Sequence, residues 1–293
     1  MDTEERLERY RDADRWPIER SLGAMLEHQQ AAFAAVREAL PDLARAVRAA
    51  APRLQRSGRL IYVGAGASGR LALQDGIELY PTFGWPRERL AHLVAGGDAA
   101  LVRSVEGAED DATAGCAAMA GLAPEPEDVV LAVAASGATA FTRAALVTAR
   151  NAGALTVALA NNPAAPLLGE AEIPILLRTG PEFLAGSTRM TAGTAQKIAL
   201  NLLSTQLMIE LGRVYQGLMV CLTPTNAKLV ARSHRIVATL AGCSLEAAAS
   251  AWERAGRDIR LAVLLLDGHP PESAAARLRA ADGDLRRART APA

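Results

Sequence analysis

Lysine is almost missing from this chain: it occurs only at Lys197 and Lys228, and the other 30 of the 32 basic residues are Arg. Acidic residues also number 32, so neither sign dominates. That balance gives no electrostatic reason to expect nucleic acid or an anionic membrane as a partner. Cysteine is scarce too. Cys116, Cys221 and Cys243 lie far apart with no CxxC spacing, which reads as reduced thiols in a cytoplasmic protein. The four histidines, His28, His92, His234 and His269, form no HxxxH or HExxH pattern, so no metal site is expected. No apolar run approaches the roughly 18 residues of a membrane span. The start, Met1-Asp2-Thr3-Glu4-Glu5-Arg6, is polar and acidic, unlike a secretory signal.

What is present is half hydrophobic over 293 residues, which suits one large domain with a small appendage, or two modest domains. From about 17 to 54 the apolar residues step in threes, fours and sevens, predicting helix with a break at Pro41. Five short apolar runs follow, at 60–63, 90–94, 129–134, 155–160 and 173–177, alternating with helix-like stretches. Unbroken apolar runs suit strands buried on both faces, and the alternation predicts a doubly wound, parallel, five-stranded α/β sheet. After Asn226 the pattern turns helical, with helices at 227–240, 245–255, 259–266 and 271–278 and a polar tail beyond Asp282. The expected division is an N-terminal helical segment at 1–44, the α/β domain at 45–215 and a helical C-terminal region at 226–293.

Two stretches carry chemistry. Arg59 to Arg70 reads as a strand entering Gly64-Ala65-Gly66-Ala67-Ser68-Gly69 and then a helix. Val133 to Thr139 repeats the plan with Ser136-Gly137 and Thr139. In an open parallel sheet, ligands bind where strands end and helices begin, and first-turn N–H groups with a Ser hydroxyl suit a phosphate. Glycine lets the anion approach the backbone. The glycines at 64, 66 and 69 match GxGxxG superficially. A dinucleotide fold also places an acidic residue at the end of the second strand, about 20 residues on; here Gly96-Gly97 intervene before Asp98. A monophosphate held by Gly66, Ala67, Ser68, Gly69, Ser136, Gly137 and Thr139 fits better. Ser187-Thr188, before a long apolar helix at 190–211, reads as its cap.

These segments resemble the sugar isomerase (SIS) domain, and further ones resemble the N-acetylmuramic acid 6-phosphate etherase family and the related glucokinase regulatory protein. The further matches, in family order, are Glu78 with Pro81-Thr82-Phe83-Gly84, Ala95 to Asp98 and Val105 to Asp110. Gly186 to Met190, Ala192 to Lys197, Thr225-Asn226 with Lys228-Leu229, and Gly242-Cys243-Ser244 complete them. Departures are also legible. Ala67 stands where the family has Thr, Ala138 where it has Arg, and Thr191 where it has Lys. Ile77, Leu79 and Tyr80 make the wall beside Glu78 bulkier, and the N-terminal segment is shortened.

The resemblance implies a lyase that cleaves the D-lactyl ether of N-acetylmuramic acid 6-phosphate, giving N-acetylglucosamine 6-phosphate and D-lactate in cell-wall recycling. It implies no cofactor, a sugar phosphate as partner, and a homodimer. It makes Glu109 the base and Glu78 the acid, with apolar neighbours of Glu78 expected to enclose it. Ser187, Lys197 and Lys228 join the substrate-binding set, both surviving lysines falling inside family motifs. Two other readings fit the same loops: a non-catalytic sugar-phosphate sensor, and an aldose–ketose isomerase.

Overall fold

The computed structural model describes residues 2–290. Short 3-10 turns lead into α1 (Ile18–His28) and α2 (Gln30–Arg56), followed by β1 (Leu60–Gly64), α3 (Gly66–Ile77), α4 (Leu79–Phe83), β2 (Leu90–Val94) and α5 (Ala99–Val102). Next come α6 (Ala112–Gly121), β3 (Val129–Val133), α7 (Ala140–Asn151), β4 (Leu155–Ala160), α8 (Pro166–Glu170), β5 (Ile173–Leu176) and α9 (Thr191–Glu210). The chain ends through β6 (Val214–Tyr215), β7 (Leu218–Met219), α10 (Ala227–Ala241), α11 (Leu245–Arg254), α12 (Ile259–Leu266), α13 (Pro271–Ala280) and α14 (Leu285–Thr290).

Five strands form one parallel sheet in the order β2-β1-β3-β4-β5. All residues of β1, β3 and β4 are buried, as their largely apolar sequences require. Ile61, Val63, Val130, Ala132 and Ala158 face a core completed by Met119 of α6, Phe141 and Leu146 of α7 and Leu167 of α8. Tyr62 points to the other face, where its hydroxyl donates to Asp75 of α3 (2.8 Å). The other oxygen of Asp75 accepts from Asn201 (2.6 Å) and Ser204 (3.1 Å) of α9. Helices therefore lie on both faces, and the doubly wound α/β class read from the sequence is what the structure has.

Two local expectations are corrected, and one element was not expected. Pro41 and Pro52 both lie inside α2, which runs unbroken. The two prolines sit on the exposed face, so water can satisfy the carbonyl each leaves unbonded while Val36, Leu43, Val47 and Leu54 stay buried. The interruption comes instead at Gln29, between α1 and α2. The chain beyond Asp282 is not a polar tail within the described residues: α14 buries Leu285 and Ala288. A two-residue hairpin, β6–β7, also went unread, although Gln216-Gly217 with both φ values positive (49° and 75°) is the turn such a hairpin needs.

Contacts divide the chain into two compact units. One holds the chain up to Ile77 together with Glu88–Ser204, including the whole sheet. The other joins Glu78–Arg87 to the chain from Thr205 onward. Its core gathers Trp252, Ile236, Val237, Val263, Leu264 and Leu285. Within it, Arg213 donates to the carbonyls of Phe83 and Gly84 (2.8 Å each), and Thr223 N–H to that of Pro81 (3.2 Å), anchoring the short α4 segment. Among the described residues, no helix is long and apolar enough to cross a membrane.

Candidate active site

Strand order reverses at β1 and β3: β1 leads by way of α3 to β2 on one side, and β3 by way of α7 to β4 on the other. Gly64 pairs with Val133 at the carboxyl ends of these neighbours, so both Ser/Gly turns leave from the switch point where such sheets bind ligands. Gly66-Ala67-Ser68-Gly69 is the first turn of α3 itself. Gly69 N–H is used by the carbonyl of Ala65 (2.9 Å). The Gly64–Gly69 approach is so close that a Cβ on Gly64 would stand 2.8 Å from the Cα of Gly69. Gly66 has a φ of 55°, which turns the chain sharply out of β1.

At the second turn Gly137 has a φ of 66°, and Ser136 Oγ accepts from the N–H of Ala138 (3.2 Å). The Ser136 hydroxyl proton is thus left to donate elsewhere. Thr139 is the N-cap residue of α7 but makes no side-chain cap bond. The neighbouring strand braces this turn. Asn161 N–H (3.0 Å) and Asn162 Nδ2 (3.2 Å) both donate to the carbonyl of Ala135.

Glu109 joins the two turns. Its carbonyl accepts from Phe141 N–H at the start of α7 (3.0 Å). Its carboxylate lies against the first turn, with Oε1 2.6 Å from the point a Cβ on Gly66 would occupy. The side chain is exposed. Among its acidic neighbours, Asp111 is spoken for, capping α6 by accepting from Ala114 N–H (2.8 Å).

Ser187 precedes α9, and Lys197 lies in its second turn. Among the described residues neither is hydrogen-bonded to the two turns, but Gln196, beside Lys197, donates to Asn161 Oδ1 (2.9 Å). The expected cap by Ser187-Thr188 is corrected. Fully buried Glu182 caps α9 instead, its two oxygens accepting from Thr191 N–H (2.9 Å) and Ala192 N–H (2.8 Å). The sequence signal for this was weak, one carboxylate nine residues upstream.

Glu78 and Lys228 come together in the second unit, where they line one cleft of about 260 Å³ with Thr82, Asn226 and Arg232. Glu78 follows the end of α3, its carbonyl accepting from Thr82 N–H (3.2 Å). The expected apolar enclosure is absent, for Glu78 is exposed and Ile77 before it is 52% exposed. Lys228 lies in the first turn of α10, which Asn226 caps by accepting from Leu229 N–H (3.0 Å). Arg232, one turn beyond Lys228, was not singled out in the sequence; helical i, i+4 spacing from Lys228 was the available signal. Among the described residues, no group of three or more His, Cys, Asp or Glu is gathered to hold a metal.

A parallel sheet with Ser/Gly turns at its switch point is the architecture of SIS-domain proteins. The SIS domain model matches residues 113–206, and that of the glucokinase regulatory protein N-terminal SIS domain matches 42–150. The crystal structure of a candidate phosphosugar isomerase involved in capsule formation, from Bacteroides fragilis, shares the fold. Its TM-score is 0.50 at 20% identity, covering 67% of this chain and 94% of that one. An N-acetylmuramic acid 6-phosphate etherase of Deinococcus radiodurans is 48% identical over 94% of this chain and 91% of its own length. One from Mesorhizobium japonicum is 44% identical over 99% and 95%. The chain belongs to the N-acetylmuramic acid 6-phosphate etherase family.

Proposed function

We propose that the protein is a carbon–oxygen lyase that releases D-lactate from N-acetylmuramic acid 6-phosphate. Etherase relatives aligned over nearly the whole chain support the reaction. The observation that carries the chemistry is the Glu109 carboxylate lying against Gly66, in the turn suited to the sugar phosphate. In the open-chain sugar the C1 aldehyde acidifies the C2 proton, and Glu109 removes it. The C3–O bond then breaks, its electron pair leaving with the lactyl oxygen, which Glu78 protonates. Water adds at C3 of the unsaturated aldehyde, giving N-acetylglucosamine 6-phosphate. Backbone N–H groups of the first turn of α3, with Ser68, Ser136 and Thr139, hold the phosphate. Lys197, Lys228 and Ser187 complete the binding set. Each step moves only protons, lactate and water, so the reaction needs no cofactor.

The cellular setting is cell-wall recycling in the cytoplasm, where the exposed thiol of Cys116 stays reduced. The working form is a homodimer. Ile18, Leu22 and Leu26 recur at four-residue spacing on α1 and are 59–74% exposed, with Phe33 of α2 at 63%; an apolar row of this kind suits burial by a second copy. Light scattering on the full chain tests that assembly.

The deciding experiment is incubation with N-acetylmuramic acid 6-phosphate in heavy water. The wild-type chain releases lactate and places deuterium at C2. Glu109→Gln does neither, whereas Glu78→Gln still exchanges C2 while lactate release falls by about a hundredfold or more. Tight sugar-phosphate binding with neither exchange nor release in the wild type would instead establish a sensor.

A further inference from the structure

The cleft that holds Glu78 carries more positive charge than one catalytic acid explains. Lys228 and Arg232 stand one turn apart on the same face of α10, and both line it. Neither makes an ion pair among the described residues. Four other half-buried arginines have carboxylate partners, Arg59 with Asp128, Arg143 with Glu170, Arg260 with Asp258 and Arg289 with Asp267, while Arg53 and Arg70 donate to the carbonyls of Pro126 and Ala100. Arg232 is equally half-buried yet keeps its guanidinium unpaired. Pro81, Met219, Leu222 and Leu229 give the cleft one apolar wall, beside the uncharged polar Thr82, Thr225 and Asn226. A pocket with a planar cation, an ammonium and an apolar wall suits a small carboxylate that bears a methyl group.

We infer that Arg232, assisted by Lys228, binds the carboxylate of the lactyl arm and so makes this cleft the determinant that separates an ether-bearing sugar from a plain sugar phosphate. The inference rests on the etherase reading. The lactyl ether oxygen and carboxylate are attached to one carbon, which also carries the methyl. A group that protonates the oxygen and one that grips the carboxylate must therefore be close neighbours. Glu78 and Arg232 in one cleft meet that requirement. Holding the carboxylate also fixes the leaving oxygen toward Glu78, so that binding energy from the arm is spent on orientation.

The test is calorimetric titration of the full chain carrying Glu109→Gln, which prevents turnover, with N-acetylmuramic acid 6-phosphate and with N-acetylglucosamine 6-phosphate. The expected preference for the lactyl sugar is about tenfold or more, the size of a charge-assisted contact. Adding Arg232→Met brings the ratio close to one while leaving the affinity for N-acetylglucosamine 6-phosphate unchanged. Arg232→Lys, which keeps the charge and guards against a folding defect, retains part of the preference. Arg235→Met is the control: Arg235 shares a neighbouring hollow with Arg232 but does not line the cleft of Glu78, and its loss leaves the ratio intact. The inference is overturned if the Glu109→Gln chain shows no preference, if Arg232→Met preserves it, or if Arg232→Met weakens both sugars equally. Lactate release by the wild type is read separately. Its absence beside an Arg232-dependent preference sinks the lyase reading and leaves the carboxylate site standing.

Discussion

The carboxylate of Glu109 stands over Gly66, its Oε1 2.6 Å from where a Cβ on that glycine would be. The contact joins a titratable oxygen to the turn best suited to the sugar phosphate, and it makes glycine obligatory there on two counts. The φ of 55° disfavours any side chain, and a methyl group would push the carboxylate aside. Gly66→Ala is expected to cost about 1–2 kcal/mol in stability from the left-handed backbone alone. The exposed Glu109 side chain swings clear, so the fold survives. Lactate release falls by about a hundredfold, because a base displaced by an ångström loses its alignment. Thermal melts and a lactate assay on one preparation check both parts, and unimpaired release would remove Glu109 from the role of base.

Ser136 accepts one hydrogen bond from its own turn and has a hydroxyl proton left to give. Ser136→Ala is expected to raise KM for the phosphosugar about tenfold, as for one hydrogen bond to a charged group, with kcat changed less than about threefold. Steady-state kinetics decide it. A fall in kcat at constant KM would place Ser136 at the reacting carbons instead of the phosphate.

The strands were the most legible part of the chain, because a strand buried on both faces must be apolar along its whole length. Fully buried β4 begins and ends where its apolar run does, and so does the half-buried edge strand β2. Pro41 misled because the rule against proline in helices concerns a hydrogen bond, and on a solvated face water replaces that bond. Amphipathic α14 was hidden by its arginines, since only Leu285 and Ala288 mark its buried side. At the site, the two turns were readable as local strand–glycine–helix patterns. The gathering of Glu78, Lys228 and Arg232 was not, because α4 joins α10 across more than 140 residues of sequence and only tertiary packing reports it.

Glu182 is a stability residue that no local pattern revealed. Its carboxylate is fully buried and satisfied by two N–H groups at the start of α9. Glu182→Ala leaves both donors without acceptors and is expected to destabilise the protein by about 3 kcal/mol. Glu182→Gln, which keeps one acceptor, costs roughly half as much. Chemical denaturation measures both. KM of the folded Glu182→Gln variant stays at the wild-type value, and a rise there would show that Glu182 touches substrate.

His92 gives the fold an acid-sensitive point. Its ring stacks on Tyr62 (centroids 5.5 Å apart, planes 17° from parallel), and Nε2 is buried without a hydrogen-bond partner. Burial lowers its pKa from the ordinary 6.5 to about 4. Between those values the unfolded chain binds a proton that the folded chain refuses. The stability this group contributes is therefore complete above pH 6.5 and is lost as pH falls toward 4. Partial exposure trims the effect to on the order of 2 kcal/mol. Denaturation of the wild type and of His92→Leu, measured from pH 8 to pH 4, isolates it from carboxylates common to both. The wild-type stability minus that of the variant should be level above pH 6.5 and decline steadily below it. A difference that stays constant down to pH 4 would mean that the imidazole is hydrated and titrates normally.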